Sequence, residues 1–217
     1  MKKRFKTNKI STKKIIIAAL LSAITCVVTF AIRVPVPATQ GYINIGDSII
    51  FLCGALLGPV IGFVAGGLGS CLADVFSGYV FWAPFTLIIK GLEGFVTGII
   101  VYLAKKFNLN KYLFAFIAML LGGIVCITGY FIASVIIYRS AAAAWFGVIG
   151  DLIQISVSLV LGMLLTVSIS NINGIEKLIG ENNLPAEAKK IKTPKLEKNK
   201  PDDVQSGKSI QDEYVEN

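Results

Sequence analysis

The sequence predicts an all-α membrane protein, a six-transmembrane-helix bundle followed by a disordered cytoplasmic tail. Three observations carry that prediction. Apolar runs of membrane-spanning length, each needing about 20 residues, follow one another between Ile15 and Ser170. The chain is 54% apolar and 16% charged, with its charges gathered at the two ends. Glycine recurs every fourth residue at Gly54, Gly58, Gly62 and Gly66, and the spacing continues through Ser70 to Asp74 and Gly78. Residues three or four apart share a helix face. In lipid, where no hydrophobic force drives helices together, such small-residue grooves let backbones approach.

Taken in order, the first helix is expected over about Lys14–Ile32. Seven basic residues precede it within residues 1–14 (Lys2, Lys3, Arg4, Lys6, Lys9, Lys13, Lys14). They form a positive-inside anchor, which predicts a cytoplasmic N-terminus. A signal peptide begins similarly, but Ile15–Ile32 is longer than a usual apolar signal core and has no clear cleavage site. Arg33–Ile45, with Pro35, Pro37 and Gly41, reads as an extended or turning loop. A short second helix, Asp47–Leu57, and a third, Val60–Phe76, are separated by a tight turn at Gly58–Pro59. The fourth runs from Pro84 to Ala104, with proline in its first turn. The fifth spans roughly Tyr112–Tyr138 and the sixth Ala143–Ser170.

Six spans put both termini inside. Lys105, Lys106 and Lys111 then fall in a cytoplasmic loop, while the outer loops hold Arg33 and Arg139. Merging the second and third helices would move the lysine loop outside, which argues for the break. The organisation is therefore a basic N-terminus (1–14), a transmembrane domain (15–170) and a tail (171–217). That tail mixes lysines and acids around a single aromatic and cannot bury enough apolar surface to fold. A short interfacial helix is expected near Ile172–Ile179.

Several chemistries are disfavoured. The formal net charge of +8 sits in the anchor and flanks rather than in a nucleic-acid patch. Cys26, Cys53, Cys71 and Cys126 lie inside apolar segments without CxxC spacing, so neither disulfides nor a metal site is expected. Histidine is absent, which removes HExxH zinc sites, Ser–His pairs and histidine relays. No Walker A motif is present. We expect no catalytic residue, metal or cofactor.

The ionisable residues of the spans are Asp47, Asp74, Lys90, Glu93 and Asp151. Under the six-span topology all lie in the outer half, forming a polar cup open to the outside above a sealed inner half. Intramembrane charge is costly and usually functional. Gly122, Cys126, Tyr130, Ser134 and Tyr138 form one stripe toward the cup, and Gly150, Gln154, Ser158 and Gly162 another. Tyr42, Asn44, Tyr79, Trp82 and Trp145 lie in the surrounding loops. A concave, aromatic site with a few converging polar groups suits a small solute. Asn44, Asp74, Lys90, Tyr130, Asp151 and Gln154 are the candidate binding residues. Structural roles compete: Lys90 can pair with Glu93 or Asp74, Asp47 can N-cap the second helix, and Trp82, Trp145 and Tyr79 can be interfacial anchors. On the first helix, Ala19 and Ala23 form a small-xxx-small face able to dock another helix, beside a parallel pair, Ala18 and Ser22.

The run Tyr42-Ile-Asn-Ile-Gly-Asp47, with Leu57-Gly-Pro59, Ala65-Gly-Gly-Leu-Gly-Ser70, Ala73-Asp74, Ser77-Gly-Tyr79, Ala83-Pro84 and Ile89-Lys90-Gly91, resembles the substrate-binding S component of energy-coupling factor (ECF) transporters. The similarity is to the riboflavin-type branch. It implies a six-helix unit of the cell membrane that captures a B vitamin or precursor from outside. Its implied partners are a transmembrane T component and two cytoplasmic ATPases, and Ala19-xxx-Ala23 matches the family's docking motif for the T component. The ligand would lie among the first outer loop and helices four to six. A self-sufficient secondary transporter is the alternative, and an intramembrane enzyme using Asp74 and Asp151 a third reading. The transporter alternative expects broken-helix repeats meeting at the midplane; the enzyme lacks a catalytic context.

Overall fold

A computed structural model describes residues 12–36 and 41–172. The N-terminal arm before Thr12 and the tail from 173 onward, with most of the expected interfacial helix, lie outside the described residues. Six helices appear in the expected order: α1 (Thr12–Ala31), α2 (Asp47–Leu57), α3 (Pro59–Phe76), α4 (Ala83–Lys106), α5 (Lys111–Tyr138) and α6 (Ala141–Ser170). The loop between α1 and α2 is more ordered than its prolines suggest. Arg33–Val36 (β1) and Gly41–Asn44 (β2) pair antiparallel, Val34 opposite Ile43 and Pro35 opposite Tyr42. Proline is compatible with such an edge, where no further strand needs its missing N–H.

Five helices are long and apolar enough to cross a bilayer; α2, with 11 residues, is not. At 1.5 Å per residue it is about 16 Å long, roughly half the hydrocarbon thickness. It nevertheless reverses the chain. Gly62 packs beside Gly54, and Gly66 beside Ile50, so α2 and α3 run antiparallel. The reversal lies deep in the bundle, because Gly58 and Pro59 abut Gly98 while α4 continues to Lys106. Lys105 reaches back to the C-terminal turn of α2, its Nζ donating to the Ala55 carbonyl at 3.3 Å. A cation at a helix C-terminus satisfies orphan carbonyls and the macrodipole together.

Gly58 makes the reversal at φ 91°, ψ 179°, a region essentially reserved for glycine. Gly58→Ala is expected to cost about 1–3 kcal/mol. Cys53 and Cys126 are fully buried free thiols, so a thiol-reactive dye reports unfolding directly. An unchanged melting midpoint would mean that the turn relaxes at no cost.

The glycine face receives α4. A Cβ on Gly62 would stand 2.5 Å from the Gly94 carbonyl oxygen, and one on Gly66 2.5 Å from that of Lys90. On the neighbouring side of α3, Gly69 meets the Ser22 carbonyl of α1. The groove therefore sets α4 against α3 backbone to backbone and fixes where Lys90 stands. On α1, Ser22, Thr25, Cys26 and Thr29 turn inward, whereas Ala19 and Ala23 are exposed. Large apolar residues such as Ile16, Leu20, Ile132, Ile136, Val160 and Leu164 are exposed too, as a surface facing lipid requires.

Candidate functional site

The hairpin, residues 77–82 and the α5–α6 connection all lie at one end of the bundle. The buried ionisable side chains cluster at that end, and the buried polar residues of the opposite half, such as Thr97, Ser158 and Thr166, are uncharged. A small cavity, about 80 Å³, opens there toward solvent. All six candidate binding residues, Asn44, Asp74, Lys90, Tyr130, Asp151 and Gln154, line it. They come from β2, α3, α4, α5 and α6, so the structure brings together positions more than a hundred residues apart.

Beneath the cavity lies an ionic network. Lys90 Nζ is 2.5 Å from Asp47 Oδ1 and 3.0 Å from Glu93 Oε2, all three side chains almost fully buried. It also lies 3.0 Å from Cys126 Sγ. Asp47 begins α2 but does not N-cap it; Gly46 occupies that position and no side chain caps it. The expected capping role is thus replaced by that of counter-ion. Of the partners weighed for Lys90, Glu93 is engaged and Asp74 is not. Asp47, Glu93 and Cys126 present ligand atoms within 4.8 Å of one another, but the Lys90 ammonium already supplies the cation among them.

Gln154 ties this network to the hairpin. Its Nε2 donates to Asp47 Oδ2 at 2.7 Å, and its Oε1 accepts from the Asn44 backbone N–H at 2.9 Å and from Asn44 Nδ2 at 3.3 Å. Asn44 Oδ1 in turn accepts from the Gly46 N–H at 2.8 Å. Both amides are largely spent on holding β2 against α2 and α6. They shape the cavity wall more than they offer free donors.

The hairpin is also latched to α3. Tyr42 Oη donates to Asp74 Oδ1 at 2.6 Å, and Arg33 Nη1 donates to Ser77 Oγ. Burial first, and then the Asp74 carboxylate beside it, raise the Tyr42 phenol well above its usual range, so it remains a donor. Asp74 is 4% exposed; the Thr86 hydroxyl approaches its carboxylate, but its second oxygen, Oδ2, has no donor at full hydrogen-bond geometry. Asp151, on α6, is half-buried, lines the same cavity and makes no hydrogen bond or ion pair among the described residues.

The aromatic wall differs from expectation at Trp145. Trp82 and Tyr79 line the cavity. Trp82 contacts Tyr130 and Tyr138 with centroids 6.1 and 6.2 Å apart, and Tyr79 packs 5.0 Å from Tyr42. Trp145, expected near the cup, is instead 62% exposed and packs on Phe131 away from it. The Tyr130 ring lies 5.5 Å from Lys90 Nζ, and its hydroxyl donates to Thr86 Oγ1 at 3.1 Å. Thr86 also lines the cavity, with Thr29 and Ser70; these three were not among the candidates. Thr86 was discoverable, since Trp82, Thr86 and Lys90 are spaced four apart on one helix face.

Residues 9–171 match the family model described as the ECF-type riboflavin transporter, S component. An uncharacterized protein from Pyrococcus woesei is 44% identical over 117 residues, covering 54% of this chain and 75% of that protein. The "Thiamine precursor transporter HmpT" of Lactococcus lactis is 27% identical over 169 residues, covering 76% and 94% of the two chains. A UPF0397 protein of Streptococcus pneumoniae is 27% identical over 140 residues, 62% of this chain and 76% of the relative.

Proposed function

The chain belongs to the family of ECF-type riboflavin transporter S components, and on that premise we propose that it captures a B vitamin or vitamin precursor from outside the cell and hands it to an ATP-driven importer. The family is one of transporter subunits rather than enzymes. Carrying the reading is a single observation: five elements converge polar and aromatic side chains on one cavity at one end of the bundle. Its walls match the general pattern of small-molecule sites, apolar and aromatic with a few oriented polar groups. A secondary transporter would need ionisable groups across the full thickness, and the buried half opposite the cavity offers uncharged ones among the described residues.

In this reading the protein lies in the cell membrane with both termini cytoplasmic, the lysine loop inside and the cavity outside. Coupling comes from a transmembrane T component and two ATPases. Ala19 and Ala23 supply the docking face on α1, and their exposure leaves room for a partner helix to approach closely. Delivery requires the loaded bundle to dock there and present its cavity inward.

Mass spectrometry of small molecules released from the detergent-purified chain, expressed alone, tests the capture step. A stoichiometric vitamin-like compound is expected; binding that requires ATP would contradict the reading. Ala23→Trp tests the docking step. It is expected to abolish uptake in cells while leaving solute affinity within about twofold, because it adds bulk to an exposed face and touches no cavity residue. Unimpaired uptake would remove Ala23 from the docking surface.

A further inference from the structure

The cavity has an unbalanced charge, and it restricts the chemistry of what can fill it. Three ionisable side chains other than tyrosines line it: Asp74, Lys90 and Asp151. The Lys90 ammonium is engaged from behind by Asp47 and Glu93, so its charge is already matched. No other lysine or arginine lines the cavity among the described residues. Arg33, the nearest candidate in the hairpin, donates to Ser77 and lies over the Phe30 ring at 4.5 Å. Asp74 and Asp151 therefore have no direct ion pair and feel the Lys90 charge only at longer range.

Asp74 shows the deficit most clearly. It is almost wholly removed from solvent, at 4% exposed. Tyr42 satisfies Oδ1 and the Thr86 hydroxyl approaches the carboxylate, but no donor stands at full hydrogen-bond geometry to Oδ2. A buried acceptor left unmade carries the full desolvation cost of its group, more when charged. Buried polar atoms are otherwise nearly always paired, so an orphan oxygen on a cavity wall marks where a ligand donor belongs. Asp151, unpartnered on α6, provides a second acceptor across the same space. Tyr79, Trp82 and Tyr130 line the same cavity, and aromatic faces favour a flat ring and, through their quadrupoles, a cationic one.

We propose that the solute is a small, flat heteroaromatic bearing an amino group, its N–H donors meeting the Asp74 and Asp151 carboxylates. The inference rests on the solute-capture reading above and specifies its substrate class. An anionic solute would place a third negative group beside two unpaired ones. A neutral solute without an amino group would leave Asp74 Oδ2 without a strong donor.

The test is calorimetric titration of the purified full-length chain with matched pairs of solutes. One pair is pyridoxamine and pyridoxine, which exchange an amine for a hydroxyl. The other is a hydroxymethyl-aminopyrimidine and the hydroxypyrimidine that replaces its amino group. Riboflavin and pantothenate represent neutral and anionic vitamins. In at least one pair the amino member is expected to bind about tenfold or more tightly, the worth of one charge-assisted hydrogen bond. Asp74→Asn and Asp151→Asn should each shrink that preference while keeping side-chain shape, and the half-exposed Asp151 serves as the check if the Asp74 variant folds poorly. Saturable binding of riboflavin or pantothenate without preference for amines would overturn this inference and leave solute capture standing. Binding by no member of the panel, in a preparation with no co-purified solute, would overturn both.

Discussion

Lys90→Met is expected to destabilise the bundle by about 3–5 kcal/mol, the cost of removing one partner from a buried ion pair. The loss is large because two carboxylates depend on the same ammonium, Asp47 at 2.5 Å and Glu93 at 3.0 Å. Methionine fills a similar volume, so packing changes little and the effect isolates the charge. The melting midpoint in detergent, followed by exposure of Cys53 and Cys126, measures it. The double variant Lys90→Met with Asp47→Asn should recover part of the loss, since the amide oxygen introduced there can still accept from Gln154 without a stranded charge. Purely additive losses would show that Lys90 and Asp47 do not act as a pair. Solute affinity should fall with the Lys90 variant as well, because Asp47 also orients Gln154, which holds the hairpin wall through Asn44.

The second large effect is expected at Gly94. A Cβ there would collide with the Gly62 carbonyl oxygen and fall 3.0 Å from the Ile50 side chain. The first neighbour is backbone, so relief requires α3 and α4 to move apart. Gly94→Leu should cost more than about 3 kcal/mol, the upper end of ordinary overpacking, and displace Lys90, one turn earlier on α4. Loss of the folded, monodisperse protein is the expected readout. Gly78→Ala provides the contrast. A Cβ at Gly78 meets nothing within 4 Å, so the cost there is confined to its backbone φ of 83°, about 1–2 kcal/mol. Equal damage at both sites would show that the close helix crossing adds nothing to the need for glycine at Gly94.

The helices were legible because their cause is local. Length, apolarity and the proline and glycine breaks place α2 at the observed Asp47–Leu57 and the other boundaries within about two residues, the usual scatter at helix ends. Gly62 and Gly66 announced close helix approach because a missing side chain on a repeated face has few other uses in lipid. That Asp74, Lys90, Tyr130, Asp151 and Gln154 would line one cavity was legible for a related reason: polar groups in apolar spans are rare enough that their depth, counted along each helix, nearly locates them.

What each of those residues does was decided by tertiary structure. Asp47 at a helix start looks like a cap until Lys90, 43 positions away, is brought to it. Asn44 and Gln154 look like ligand donors until they are found spending their groups on each other, 110 positions apart. Trp82 faces the cavity and Trp145 faces outward, although both are tryptophans near a helix start. The β1–β2 hairpin likewise depends on latches to α3 and α6 that its own proline-rich sequence does not encode. Periodicity and composition act over one or two turns and so fix which residues share a face. Hydrogen bonds and ion pairs in a low-dielectric interior act on whichever groups the packing brings within about 3 Å, and that pairing exists only once the six helices have crossed.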